Sequence, residues 1–129
     1  MPLAHLTIAT RDVEKTIRFF EQTLRWRRLR APENAPQRLR AAWLEIAPGQ
    51  QLHVLLVEDF APSPFEAEFG RHVALFHPGH DIPALKSRLA AHGAELIDPI
   101  RPTPFDRFFF RDPNGYVFEV IDREQYVVE

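Results

Sequence analysis

The chain has no cysteine, which excludes disulfides and thiol chemistry and leaves His, carboxylates or water to hold any metal. It also lacks an apolar run approaching the roughly 20 residues of a membrane span. Its start, MPLAHLTIATRDVEK, has no basic stretch followed by a long apolar segment. A soluble cytoplasmic protein with no membrane partner is the expectation. Charge of one sign is missing too: the formal net charge is -2, and Arg residues are scattered apart from the short run RWRRLR. A phosphate-tracking surface needs a coherent positive field, so nucleic acid is not an expected partner.

What is present is material for a packed interior. Of 129 residues, 45% are hydrophobic, eleven are Phe, and 26% are charged with both signs represented. That suffices for one domain core, or for two small modules sharing one.

Element signals come in a repeated order. LAHLTIA (3–9) reads as a strand with Leu3, His5 and Thr7 on one face and Ala4, Leu6 and Ile8 on the other. Asp12 is placed to cap a helix whose apolar stripe is Val13, Ile17, Phe20 and Leu24. WRRLRAP and QRLRAAWLEIA follow as strands separated by a Pro-containing turn, and QLHVLLVED is a third after Pro48 and Gly49. Pro62, Ser63 and Pro64 mark a connector, after which the order restarts. GRHVALFH is a strand with His72, Ala74 and Phe76 on one face. Asp81 is placed to cap a helix carrying Ile82, Leu85 and Leu89, and Gly93 stops it. AELIDPI, interrupted by Pro99, then FDRFFF and YVFEVID complete the chain as strands. The expectation is one domain over 1–129: a β-α-β-β-β module at 1–59, a connector at 60–69 and a second such module at 70–129.

Spacing strengthens the repeat. His5 corresponds to His72 at an offset of 67, while Gly49 and His53 correspond to Gly115 and Glu119 at an offset of 66. If the first and last strands of each module are neighbours, His5, His53, His72 and Glu119 are directed to one point. Three imidazoles and a carboxylate suit a divalent transition metal, with iron, manganese, cobalt, nickel and zinc all chemically open. Singly, a strand His is ordinarily a hydrogen-bonding residue and a strand Glu a solvated one. The symmetry-related placement of all four is what favours a metal site. His53 could instead bind substrate or orient a ligand.

Other polar and aromatic residues carry a blander reading beside the functional one. His77 and His80 flank the turn HPGH, and His92 precedes Gly93 at a helix end; turn geometry, solvent and the helix terminus account for them. Trp43 alternates with Ala41 and Glu45, and Phe105, Arg107 and Phe109 share one face of the penultimate strand. Core packing and a solvated Arg107 are the bland reading. In the functional reading, Trp43, Phe105 and Phe109 exclude water from a substrate and Arg107 holds an anionic group on it.

At His5, His53, His72 and Glu119, with RDPNG leading into the last strand, the chain resembles the glyoxalase, bleomycin-resistance and extradiol-dioxygenase superfamily, the vicinal oxygen chelate fold. HLTIATRDVEKTIRFFEQTLRW is similar to that family's first strand and helix, and FFFRDPNGYVFEVID to its C-terminal signature. The resemblance implies an α+β fold of paired βαβββ modules forming a cup-shaped, partly open mixed sheet, often in a homodimer. It implies a bound metal that activates substrates presenting two nearby oxygens, with His5, His53, His72 and Glu119 at the metal positions. Glyoxalase I commonly carries a carboxylate where His53 stands, and methylmalonyl-CoA epimerase an amide. His72 and Glu119 match the two-His, one-Glu pattern of extradiol dioxygenases, without the further modules of many of those enzymes. Fosfomycin-resistance proteins use a similar ligand set, but their phosphonate and potassium cluster is not evident here.

The function expected is thus a metal-dependent lyase, isomerase or dioxygenase acting on a small oxygenated substrate, with Glu119 able to move a proton. The alternative is a metal-free dimeric binding or antibiotic-resistance protein of the same fold, since fold alone does not establish catalysis.

Overall fold

A computed structural model describes residues 2–35 and 40–128. Gln37, Arg38 and Leu39, which open the expected strand QRLRAAWLEIA, lie outside the described residues. The chain is α+β and divides into two compact units, Met1–Ala61 and Pro62–Glu129. Each has the order β-α-β-β-β.

In the first unit, β1 (His5–Thr10), α1 (Val13–Thr23), β2 (Arg27–Leu29), β3 (Ala41–Ala47) and β4 (Gln50–Leu56) form an open mixed sheet of order β1-β4-β3-β2. The first and last strands are parallel neighbours, with His5 opposite Gln51 and Thr7 opposite His53. Period-two alternation decides what the helix covers. Ile8, Leu44, Leu52 and Val54 are buried on one face, with Ile17 and Phe20 of α1 at 0% exposure. Phe20 stacks on Trp26 at 5.0 Å. Asp12 caps α1 as expected, accepting from the Lys15 N–H at 3.0 Å.

The second unit contains β5 (Val73–His77), α2 (Ile82–Ala91), β6 (Glu95–Ile97), β7 (Arg107–Arg111) and β8 (Val117–Asp122), in the order β5-β8-β7-β6. Again the first and last strands are parallel neighbours. Leu85 and Leu89 of α2 are fully buried, as are Phe110 and Val120, and Phe110 stacks on Phe118 at 5.2 Å. The helix ends as expected: Gly93 has φ +84, and the N–H groups of Gly93 and Ala94 return to the carbonyls of Ala90 and Leu89.

One local expectation changes. Asp81 precedes α2 but gives it no side-chain cap. Its carboxylate is taken by His77 Nε2 at 2.8 Å and Arg88 at 2.9 Å, and the hydrogen bonds to two cationic or imidazole donors outcompete a backbone N–H. The stretch expected as a connector is split at Ala61 and Pro62, and its later part is laced into the second unit. Glu66, 4% exposed, accepts the Val117 N–H at 2.7 Å and both oxygens receive Arg71.

The turn before β8 explains where that strand starts. Asp112 accepts the N–H groups of Asn114 and Tyr116, each at 2.9 Å, and Gly115 follows with φ +94. A Cβ at Gly115 would stand 2.6 Å from the Pro62 side chain, so both the dihedral and the close approach require glycine.

Candidate functional site

Each unit brings together two of the four expected residues, on the sheet face away from its helix. In the first unit, His5 and His53 stack with ring centroids 3.9 Å apart and planes 10° apart. The parallel β1/β4 pairing causes this, because His5 lies opposite Gln51, two residues from His53 on the same face. His53 Nε2 meets Gln51 Oε1 at 2.9 Å. With that carbonyl oxygen as acceptor, Nε2 carries the proton and Nδ1 keeps its lone pair. Burial, and then the neighbouring His5, push the His53 pKa down, favouring the neutral imidazole that a metal requires.

In the second unit, His72 stands just before β5, and its Nε2 lies 3.1 Å from Glu119 Oε1 on β8. Its Nδ1 lies 3.2 Å from the Ala67 carbonyl oxygen, which only accepts, so Nδ1 carries a proton. A neutral His72 therefore presents its Nε2 lone pair to a carboxylate oxygen. Two lone pairs at that separation need a proton or a cation between them. Donation of the second ring N–H to a backbone carbonyl is also how metal-ligating histidines are oriented. The donor chemistry fits a divalent metal in both units: two imidazoles in one, an imidazole and a carboxylate in the other. Among the described residues, no group of three or more His, Asp and Glu side chains is placed to hold a metal ion.

The expected substrate residues divide. Trp43 is the direct cross-strand partner of His53, with its ring 6.0 Å from the imidazole. Phe109 is the direct partner of Glu119, and its ring meets His72 edge-on at 5.2 Å. Trp43 and Phe109 are also 66 residues apart, the offset that relates His53 to Glu119. That spacing was a readable sign of their equivalence. Phe105 lies before β7, buried, and packs on Tyr126 at 5.0 Å.

Arg107 is neither solvated nor free to take an anionic substrate group. Its side chain is 2% exposed, and its guanidinium donates to Glu119 Oε2 at 3.1 Å, to Glu68 Oε2 at 3.0 Å and to the Arg101 carbonyl. It also lies 5.2 Å from the Phe109 ring centroid. Carboxylates of the protein itself thus occupy the group expected to meet one on a ligand.

Glu68 was not among the expected site residues. It sits in a Pro-rich stretch with no periodicity to give it a face, and no sequence signal distinguishes it from a solvated Glu. Besides Arg107, it accepts the N–H groups of Ile100 at 2.7 Å and Arg101 at 2.9 Å. Burial pushes its carboxyl up, but the Arg101 and Ile100 N–H groups and the Arg107 guanidinium outweigh this and hold it below the usual range.

Clefts of about 420 Å³ lie beside the start of each helix, one lined by residues including Asp12, Glu14 and Arg40, the other by Pro83, Lys86 and Asp106. Neither is lined by His5, His53, His72 or Glu119, although Arg107, which holds Glu119, also lines the second.

No helix among the described residues is long and apolar enough to cross a membrane. No curated protein matches the chain. Residues 3–120 match the family model described as Glyoxalase/Bleomycin resistance protein/Dioxygenase superfamily. Among solved structures, a mutant of the fosfomycin resistance protein FosX from Listeria monocytogenes, complexed with Mn(II) and 1S,2S-dihydroxypropylphosphonic acid, is similar at TM-score 0.77 and 20% identity, covering 95% of this chain and 94% of that one. FosX from Mesorhizobium loti is similar at TM-score 0.71 and 19% identity, covering 92% and 89%. A glyoxalase-family protein from Bacillus anthracis is similar at TM-score 0.74 and 22% identity, covering 95% and 94%.

Proposed function

The chain belongs to the Glyoxalase/Bleomycin resistance protein/Dioxygenase superfamily, and on that premise we propose that it is a divalent-metal-dependent enzyme acting on a small oxygenated substrate. His5, His53, His72 and Glu119 are the proposed ligand set. The observation that carries the reading is His72, whose ring donates through Nδ1 to Ala67 while Nε2 faces Glu119 Oε1 at 3.1 Å. When bound, a divalent Fe, Mn, Co, Ni or Zn ion supplies Lewis acidity toward two adjacent substrate oxygens and stabilises negative charge developing on them.

The chain's own residues do the rest. His53, kept neutral by burial and held by Gln51, offers a lone pair near neutral pH. Glu119 is the proposed proton-moving group, acting through Oε1 when that oxygen is not holding the metal, because Arg107 holds Oε2. Trp43 beside His53 and Phe109 beside Glu119 give the two donor pairs apolar neighbours. An α-hydroxycarbonyl, a 2-oxo compound or a catechol-like diol meets these requirements; the reaction is lyase, isomerase or extradiol-type oxygenase chemistry. A homodimer belongs to this reading and draws on the exposed Phe65, Phe69 and Ile100 of the second unit.

A second reading is a metal-free small-molecule binding or antibiotic-resistance protein, and it draws on the same pair. A proton between His72 Nε2 and Glu119 Oε1 answers the two lone pairs as well as a cation does. Metal analysis of untagged protein purified without added metal separates the two. The enzyme reading expects bound transition metal, lost in His72→Ala and in Glu119→Ala. Less than about one-tenth equivalent, with no uptake on anaerobic reconstitution with Fe(II), Mn(II), Co(II), Ni(II) or Zn(II), overturns it.

A further inference from the structure

We infer that Arg107 is a positioning residue for Glu119, anchored at its other end by Glu68. It fixes Oε2 and so leaves Oε1 as the single oxygen that Glu119 presents to its site. This rests on the reading of Glu119 as a metal ligand given above.

Strand geometry places the two side chains. Phe109 is the direct partner of Glu119, and Arg107, two residues along β7, shares its face on the diagonal. The guanidinium passes the Phe109 ring, reaches Glu119 Oε2 at 3.1 Å through Nη1 and Glu68 Oε2 at 3.0 Å through Nη2. Glu68 is itself fixed by the Ile100 and Arg101 N–H groups. The chain of contacts therefore runs from the backbone at 100–101 through Glu68 and Arg107 to one oxygen of Glu119. The other oxygen faces His72 Nε2. The Arg107 Nε–H is buried with no partner among the described residues. The side chain thus leaves one donor unsatisfied while both Nη atoms are used, so contact with the two carboxylates and the Arg101 carbonyl, rather than full satisfaction of the guanidinium, sets its pose.

The internal repeat supplies an independent argument. Ala41 lies opposite Leu55, two residues along β3 from Trp43, as Arg107 lies opposite Ile121 and two residues from Phe109. The module whose last strand carries His53 thus has Ala41 at this position, and the module whose last strand carries Glu119 has Arg107. An imidazole presents one lone pair and is oriented by its second nitrogen, whereas a carboxylate has two equivalent oxygens and needs one of them held. The cation appears only where that need exists.

Arg107→Lys tests this, because it keeps the charge but replaces a fork by a point donor that cannot span Glu68 and Glu119 in the same way. In metal-free protein labelled with ¹⁵N-histidine, the His72 Nε2 resonance is expected to move in Arg107→Lys while the other five His resonances stay. In Mn(II) titrations, Arg107→Lys is expected to weaken Kd by about 10- to 100-fold, the usual effect of losing a group that orients a ligand. The same substitution in a Glu119→Gln background is expected to change Kd less than about twofold, because the effect passes through the carboxylate. An unmoved His72 resonance, an unchanged Kd, or an equal loss in the Glu119→Gln background overturns the inference. Wild-type protein that binds no Mn(II) removes the metal reading instead, and the resonance alone then decides the role of Arg107. If Arg107→Lys does not fold, Glu68→Gln carries the test, with the same two changes expected at smaller size and with the same results overturning it.

Discussion

His72 and Glu119 face each other at 3.1 Å through Nε2 and Oε1, although the opposite side of the His72 ring already donates to the Ala67 carbonyl. Backbone pairing accounts for the approach: Val73, next to His72, lies opposite Phe118, next to Glu119, in the parallel β5/β8 ladder. Glu119→Gln keeps the shape of the side chain and removes its charge. It is expected to weaken Mn(II) binding by at least about tenfold. It is also expected to lower stability by about 1–3 kcal/mol, since it leaves the buried Arg107 with one countercharge fewer. Calorimetric titration and urea unfolding of the same preparation measure both.

In the first unit the orienting group is Gln51, whose Oε1 receives His53 Nε2. Gln51→Leu is expected to weaken Mn(II) affinity by roughly tenfold through loss of ring orientation. His53→Ala, which removes the donor itself, is expected to cost more. Equal Kd values for wild type and both variants would show that this pair lies outside the metal's ligand sphere.

Much of this arrangement is legible in the chain, and the boundary is physical. Offsets of 66 and 67 residues expose a duplicated β-α-β-β-β unit, and strand alternation puts Arg107 with Phe109 on a shared face, whereas bringing His5 to His53 also needs the β1/β4 pairing that only the fold supplies. Alternation says which face a side chain takes and is silent on what meets it there. Arg107 therefore reads the same from sequence whether its partner is a substrate anion or Glu68, thirty-nine residues earlier. Asp81 shows the same limit at a helix start. Its position marks a cap, but only the folded turn brings His77 and Arg88 to its carboxylate.

That Asp81 carboxylate gives a pH dependence. Arg88 and then His77, by hydrogen bonding, hold its pKa well below the ordinary Asp value, outweighing the small effect of burial. The folded pKa is thus lower than the unfolded one, so its stabilisation is present above about pH 4 and is lost as the pH falls further. With the side chain 34% exposed, solvent screening limits the effect to about 0.5–1 kcal/mol. Urea midpoints of wild type and Asp81→Asn are expected to differ at pH 6 and to converge toward pH 2.

Glycines at two turns separate backbone strain from close packing. Gly49 has φ +80 with nothing within 4 Å of an added Cβ, whereas Gly115 has φ +94 and the Pro62 side chain at 2.6 Å. Gly49→Ala is expected to cost roughly 1–2 kcal/mol, from the left-handed backbone alone. Gly115→Ala is expected to cost more, because Pro62 must also shift. Equal unfolding midpoints for the two variants would show that Pro62 yields freely.

The central claim, that His72 and Glu119 belong to a metal site with Arg107 holding the second carboxylate oxygen, is tested most directly by anomalous diffraction from crystals grown with Mn(II). The expected result is an anomalous peak within ligand distance of His72 Nε2 and Glu119 Oε1, with Arg107 still on Oε2. A map with no peak there, at a Mn(II) concentration that saturates any binding seen in solution, would contradict it.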